Sequence, residues 1–314
     1  MIEKHDTWEI LDSTKIKSYL ECPRQYFFEY ILGWRPVEPN IHLEFGKAWH
    51  LAMEHLLTHG YEEESVIEAF TLFHNHYREH FGPSMDEVYA PKNPETAFRA
   101  LAAYANRYAV EDKGEKVLYT EIAGTVPIRP DKEHFNVVHF RMDSIIQKED
   151  GLYRSREHKT GSNMSRQWAD QWALDIQTGI YNHVLYCLFP ESDVWGVEIN
   201  GSFFKKKECT FMRVPARRTK RMMSAWFQIV CDTAMRIEED IERLELGEED
   251  DVMVAFTPNP TNCTKYFGCR YHPYCIAWAN PLQKVDYIPD DMCISFWDPR
   301  DEEQKAKHIM RLEG

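Results

Sequence analysis

The stretch that most restricts how this chain can fold runs from residue 140 to residue 181. It reads F-R-M-D-S-I-I-Q, a turn K-E-D-G, then L-Y-R-S-R-E-H-K-T, and ends in a helical run carrying Gln177 and Tyr181. Residues 140–147 and 152–160 have the composition of two β-strands, and Asp150-Gly151 between them is a strong hairpin signal. A three-residue loop at 149–151, with Gly151 in the left-handed position such loops favour, sets Asp143 opposite Glu157. Side chains alternate along a strand, so Glu157 and Lys159 share one face and His158 points to the other. Facing carboxylates repel unless a proton or a cation lies between them. A hard divalent ion such as Mg²⁺ or Mn²⁺ suits oxygen ligands of this kind. Taken alone, a D…E-x-K pattern is also what a solvated strand carries; its weight comes from the segments around it.

Those segments read as follows. Ser13 is placed as the N-cap of a helix over residues 14–20 that stops near Cys22-Pro23. The aromatic run R-Q-Y-F-F-E-Y-I-L-G-W, ending at Trp34, is dense enough to be core. In the next helix, L-E-F-G-K-A-W-H-L-A-M-E-H-L-L, Gly46 and His50 lie four apart on one face. From residue 62 to about 112 the chain reads as helices broken at Gly82-Pro83 and between Pro91 and Pro94, with Phe and Tyr stripes at helical spacing. A strand starts near Lys116, and its Glu121 is either a further acidic neighbour of the site or a solvated strand residue. One helix is expected from Ser165 to about residue 189, with Gln177 and Tyr181 beside its apolar face. A strand follows at 194–204, then a long amphipathic helix at 219–246 and the acidic run G-E-E-D-D.

The formal net charge of −14 speaks against a general polyanion binder but leaves room for a local basic groove. Lys205, Lys206, Lys207, Arg213, Arg217, Arg218, Lys220 and Arg221 form the one strong basic cluster, for which a phosphate backbone is a plausible partner. The opening M-I-E-K-H-D-T is no signal peptide, and no apolar run approaches membrane-spanning length, so a cytoplasmic protein without a membrane partner is expected. There, eight cysteines point to metal or redox chemistry more than to disulfides. Cys263, Cys269 and Cys275 are spaced C-x5-C-x5-C, which suits an iron–sulfur cluster better than a zinc ribbon. Of the remaining cysteines, Cys187, Cys209, Cys231 and Cys293 read mostly as small core residues. Cys22 beside Pro23 is the preferred fourth ligand, a choice that rests partly on the resemblance that follows.

S-T-K-I-K-S-Y-L-E-C-P-R-Q-Y-F-F, G-K-A-W-H, R-M-D, E-H-K-T, Q-T-G-I-Y and the late cysteines occur in an order and at distances that together resemble the PD-(D/E)XK nuclease superfamily. More narrowly, the chain is similar to the RecB-like branch with a four-cysteine iron–sulfur staple, which includes the AddB nuclease domain and the CRISPR-adaptation nucleases. The resemblance implies an α/β fold: a restriction-endonuclease-like core of mixed sheet flanked by helices. One nuclease domain would span 1–280, with a helical insertion at about 61–114, followed by a C-terminal extension at 281–314.

It further implies that His50, Asp143, Glu157 and the main chain at His158 bind Mg²⁺ or Mn²⁺, and that Lys159 orients the attacking water. Gln177 and Tyr181 would contact DNA near the scissile phosphate. Cys22, Cys263, Cys269 and Cys275 would hold a [4Fe–4S] cluster joining the N- and C-terminal segments. Two departures stand out: Met142 replaces the proline of the family's name, and the late cysteines are spaced more widely than the commoner C-x2-C-x5-C. The expected function is a metal-dependent DNA exonuclease of recombination or repair. The alternative is a non-catalytic iron–sulfur module that holds DNA ends. With no Walker-type sequence in the chain, a helicase would be a separate partner.

Overall fold

The computed structural model describes residues 2–245, 251–265 and 268–312. The acidic run, apart from Asp251, and the expected helix end at Leu246 lie outside them. The helices are α1 (Ser13–Glu21), α2 (Pro23–Tyr26), α3 (Ile41–His59), α4 (Glu63–His80), α5 (Pro94–Tyr108), α6 (Arg166–Asp170), α7 (Ile176–Leu188), α8 (Lys220–Glu245), α9 (His272–Ala277) and α10 (Pro299–Gln304). The strands are β1 (Trp34–Pro36), β2 (Lys116–Pro127), β3 (Val137–Gln147), β4 (Tyr153–Gly161), β5 (Val194–Phe204), β6 (Cys209–Ala216), β7 (Met292–Ile294) and β8 (His308–Arg311). Six strands make one mixed sheet in the order β6-β5-β4-β3-β2-β8, with β4/β5 and β2/β8 parallel. This is the expected α/β core, a mixed sheet flanked by helices.

Alternation along β5 separates the two faces of the sheet. Val197 and Ile199 join the main core with Ile180 and Val184 of α7 and Trp226 and Val230 of α8. Glu198 and Asn200 point the other way, into a buried polar layer: Arg156, fully buried, bonds Glu198 and Glu115, and Asn200 bonds Tyr104 of α5. Above that layer α3, α4 and α5 form a second core of their own, into which Phe204 inserts between Phe45 and Trp49. Helices α4 and α5 are thus anchored to the sheet through α3. Truncating the buried Trp49 to alanine would cost about 3–5 kcal/mol and loosen the helix that carries His50.

Two local expectations are corrected. The N-cap of α1 is Asp12, whose carboxylate accepts from Lys15 N at 2.8 Å, and Ser13 is already helical. The helix expected from Ser165 is broken: Ser165 caps only α6, and Asp175 caps α7 anew by accepting from Thr178 N. Residues 281–312 contribute two strands. β7 pairs with β1, and β8 extends the sheet beside β2. A Cβ on Gly124 would sit 1.7 Å from the Met310 carbonyl oxygen, so glycine is what lets β8 dock there.

Candidate active site

The β3–β4 hairpin has the expected register. Ser144 pairs with Arg156 and Gln147 with Tyr153, and Gly151 has φ +78° in the turn. Continuing that register puts Asp143 opposite Glu157, but the regular ladder ends just before them. From there the main-chain donors turn to carboxylates. Asp143 N donates to Glu157 Oε1 at 3.1 Å, and His158 N donates to Asp143 Oδ2 at 2.7 Å. Ser155 Oγ also donates to Glu157 Oε1, and His50 Nδ1 lies 2.9 Å from Asp143 Oδ1. The strands therefore open at the point where the two acids meet.

Burial, and then the charge of Asp143, push the Glu157 carboxyl well above its ordinary range. Burial works against ionisation of Asp143 as well, but His50 beside it, with His158 and Lys159, outweighs that and holds its carboxyl well below the usual range. Without a cation, Glu157 is the member of the pair that takes up a proton. A pair of oxygen donors, Glu157 buried and Asp143 half-buried, with an imidazole alongside fits a divalent ion in place of that proton. The His158 ring points away, as alternation requires. Its Nδ1 lies 2.9 Å from Asn200 Nδ2, and burial lowers its pKa to about 3, so the ring is neutral.

Gln177 and Tyr181 form a relay behind Lys159. Lys159 Nζ donates to Gln177 Oε1 at 2.8 Å, Gln177 Nε2 to Tyr181 Oη at 2.8 Å, and Tyr181 Oη to the Arg141 carbonyl at 2.5 Å. The break at Asp175 puts Gln177 in the first turn of α7, where it reaches Lys159, and the i, i+4 spacing brings Tyr181 beneath it. Burial pushes the Tyr181 hydroxyl well up, so it stays protonated and can donate. Tyr181 is only 3% exposed, which makes it a support for Lys159 and leaves Gln177 nearer the opening.

These residues line one cleft of about 720 Å³ with Glu121, Glu54, Arg141, Glu302, Lys305 and Lys307. Glu121 takes a positive φ of 46°, and its carboxylate accepts from Arg141 Nε at 2.8 Å. Glu54 was not foreseen, although it lies one turn beyond His50 on the same helix face. Its carboxylate pairs with Lys307 Nζ at 2.6 Å. The C-terminal residues of the cleft carried no local signal at all, because only the docking of α10 and β8 on the sheet brings them there.

Cys22, Cys263, Cys269 and Cys275 are brought together. The Cys275 thiol is pushed up to about 11, by burial first; Arg24 opposes the rise, and Cys22, Cys269 and Cys263 add to it. Cys22 stands between α1 and α2, and its Sγ accepts from Asn259 N at 3.3 Å. Arg24 donates to the carbonyls of Phe256 and Met253, fixing the chain that leads into the late cysteines. Four neighbouring cysteines from two distant segments are residues of the type that bind metals through thiolates. Cys187, Cys209, Cys231 and Cys293 lie elsewhere, on α7, β6, α8 and β7.

The basic cluster does not form one surface. Gly201 is level with Lys159, so Lys205, Lys206 and Lys207 start roughly 13 Å beyond it at the same end of the sheet. Arg217 follows Ala216, which pairs with Val197, and so lies roughly 17 Å to the other side of Lys159 along β5. Arg217 sits over the Trp195 ring, and Lys220 and Arg221 open α8. Arg218 is buried and donates to the Asp175 carbonyl and Thr178 Oγ1, while Arg213 is tied to Asp112. Both arginines are structural.

No curated protein matches the chain. Among 11 matching chains of known structure, one described as "Crystal structure of SSO0001" has 15% identity and a TM-score of 0.26, covering 60% of this chain and 84% of that one. The family model of the PD-(D/E)XK nuclease superfamily matches residues 13–276. That span runs from α1 through the opened hairpin and the Lys159 relay to the last of the four clustered cysteines. A match over most of the chain shows that it belongs to the PD-(D/E)XK nuclease superfamily.

Proposed function

We propose that this chain is a divalent-metal-dependent deoxyribonuclease of the RecB-like, iron–sulfur branch, working as an exonuclease in DNA processing. The observation that carries the reading is the convergence of His50, Asp143, Glu157 and Lys159 where β3 and β4 part. His50, Asp143, Glu157 and the main chain at His158 would hold Mg²⁺ or Mn²⁺. A bound ion supplies Lewis acidity that makes water a better nucleophile and offsets charge on the phosphate.

Lys159, held through Gln177 and Tyr181, presents its ammonium to the attacking water and to the phosphate oxygens without occupying a metal ligand. Asp143 is kept ionised by His50, and Glu157, as a carboxylate, would complete the acidic pair that holds the ion. DNA would pass Lys205, Lys206 and Lys207, which begin four residues beyond the level of Lys159 along β5. Cys22, Cys263, Cys269 and Cys275 would hold a [4Fe–4S] cluster that ties α1 and α2 to residues 263–275. Among the described residues no helix is long and apolar enough to cross a membrane, in keeping with a cytoplasmic enzyme acting on DNA. Exonuclease action rests on the resemblance to the RecB-like branch, and a helicase or recombination partner would be a separate chain.

The test is incubation with end-labelled linear and closed circular DNA, with Mn²⁺, Mg²⁺ or chelator. The reading expects metal-dependent loss of the linear substrate, an untouched circle, no cleavage by Glu157→Ala, and only a residual single-turnover rate in Lys159→Ala. Cleavage by Glu157→Ala at the parent's rate overturns the site. Cleavage of the circle overturns the exonuclease assignment alone.

A further inference from the structure

Away from the opened hairpin, α3 and α4 pack together as an antiparallel pair and bring three ligand-type side chains to one point. His76 and His80 are one turn apart on α4, hence on one face. Glu44, near the start of α3, faces both. Its Oε2 lies 3.2 Å from His76 Nε2 and 3.2 Å from His80 Nε2, while its Oε1 is taken by Lys47 Nζ at 3.0 Å. The three ligand atoms all lie within 4.8 Å of one another. Two ligand atoms at 2.0–2.1 Å from a tetrahedral ion are about 3.3 Å apart, and the two nitrogen–oxygen distances here are close to that edge.

We propose that Glu44, His76 and His80 form a second metal site, for a Zn²⁺-class transition ion, separate from the nuclease ion. Two imidazoles and one carboxylate favour such an ion over Mg²⁺, which prefers oxygen donors. Three protein ligands leave a fourth position for water, and the His76 and His80 side chains are 22% and 33% exposed, so the ion has a way in. Glu44 is the buried member, with a side chain 9% exposed.

Such a clamp has a structural consequence for the cleft. His50 follows Glu44 on α3, roughly 9 Å along the axis at 1.5 Å per residue, and His76 itself lines the cleft. An ion bound here pins α3 to α4 and holds the helix that carries His50 against Asp143.

Calorimetric Zn²⁺ titration of the full chain tests this, in a background of Asp143→Ala and Glu157→Ala that removes the hairpin acids. His80→Ala and, separately, His76→Asn should each abolish one equivalent of Zn²⁺ or weaken it at least a hundredfold, with circular dichroism unchanged. Lys47→Ala, which removes a competing cation, should tighten the same site. Co²⁺ should give visible d–d absorption that disappears in His80→Ala, and Mg²⁺ at equal concentration should not displace it. Equal stoichiometry and affinity in the parent, His80→Ala and His76→Asn would overturn the proposal and leave a hydrogen-bonded cluster only. If His80→Ala misfolds, His80→Gln takes its place with the same two outcomes.

Discussion

Gln177→Ala isolates what the relay contributes to the proposed chemistry. In the parent, the Lys159 ammonium donates to Gln177 Oε1 at 2.8 Å. A hydrogen bond to a charged group contributes about 1.5–3 kcal/mol, and a lysine released from it regains up to about 2 kcal/mol of rotamer freedom. If that bond serves mainly to position Nζ, its loss raises the barrier by the same 1.5–3 kcal/mol. At 1.36 kcal/mol per decade this slows the chemical step about 10- to 150-fold. Global stability should change by only about 1 kcal/mol, since Tyr181 keeps its own bond to the Arg141 carbonyl. Single-turnover cleavage of end-labelled DNA at saturating Mn²⁺ reads the rate, and a melting curve reads the stability. The decisive comparison is the double mutant: once Lys159 is alanine, Gln177→Ala should add almost nothing, because the two act as a unit. Fully additive losses, or a single mutant within twofold of the parent, would refute the relay.

Other expectations follow from the same geometry. In chelator, the raised Glu157 carboxyl contributes stability that is present below its unfolded value, about 4.3, and is lost as pH rises through its higher folded value. The apoprotein should therefore melt earlier as pH climbs above the ordinary carboxylate range, and either Glu157→Gln or added Mn²⁺ should remove that fall. A melting temperature that rises over this window would contradict the assignment. Asp143, held low, has the opposite sign, and its contribution is lost only on strong acidification. Anaerobically purified protein should be brown with bound iron and sulfide. Cys22→Ser should lose colour and stability together while Cys293→Ser, exposed on β7, loses neither; stoichiometric zinc without iron would rule the cluster out. Reversing charge at Lys205, Lys206 and Lys207 should cut the salt slope of duplex binding by up to about 0.9 per lost phosphate contact. Arg217→Glu, at the other end of β5, should leave that slope unchanged.

What the sequence determined by itself is what neighbouring residues encode. The two strands, the left-handed Gly151 between them and hence the Asp143–Glu157 register follow from side-chain alternation and turn chemistry acting within about twenty residues. The His50 and Gln177–Tyr181 spacings are helical periodicity, and the aromatic run ending at Trp34 was already dense enough to be core. The opening of the hairpin at the acids was not legible, because it depends on carboxylates taking over main-chain donors once the strands are packed. Nor was the break at Asp175, where a local cap competes with an apolar stripe that would suit one continuous helix. Contiguous lysines and arginines looked like one patch, but the β5–β6 turn-back sends them to opposite ends of the sheet and buries Arg218. Glu54 meets Lys307, and Glu44 meets His80, only through the docking of β8 on β2 and of α4 on α3. Such pairings depend on which distant surfaces bury each other, and a one-dimensional pattern records the surfaces without recording the partner.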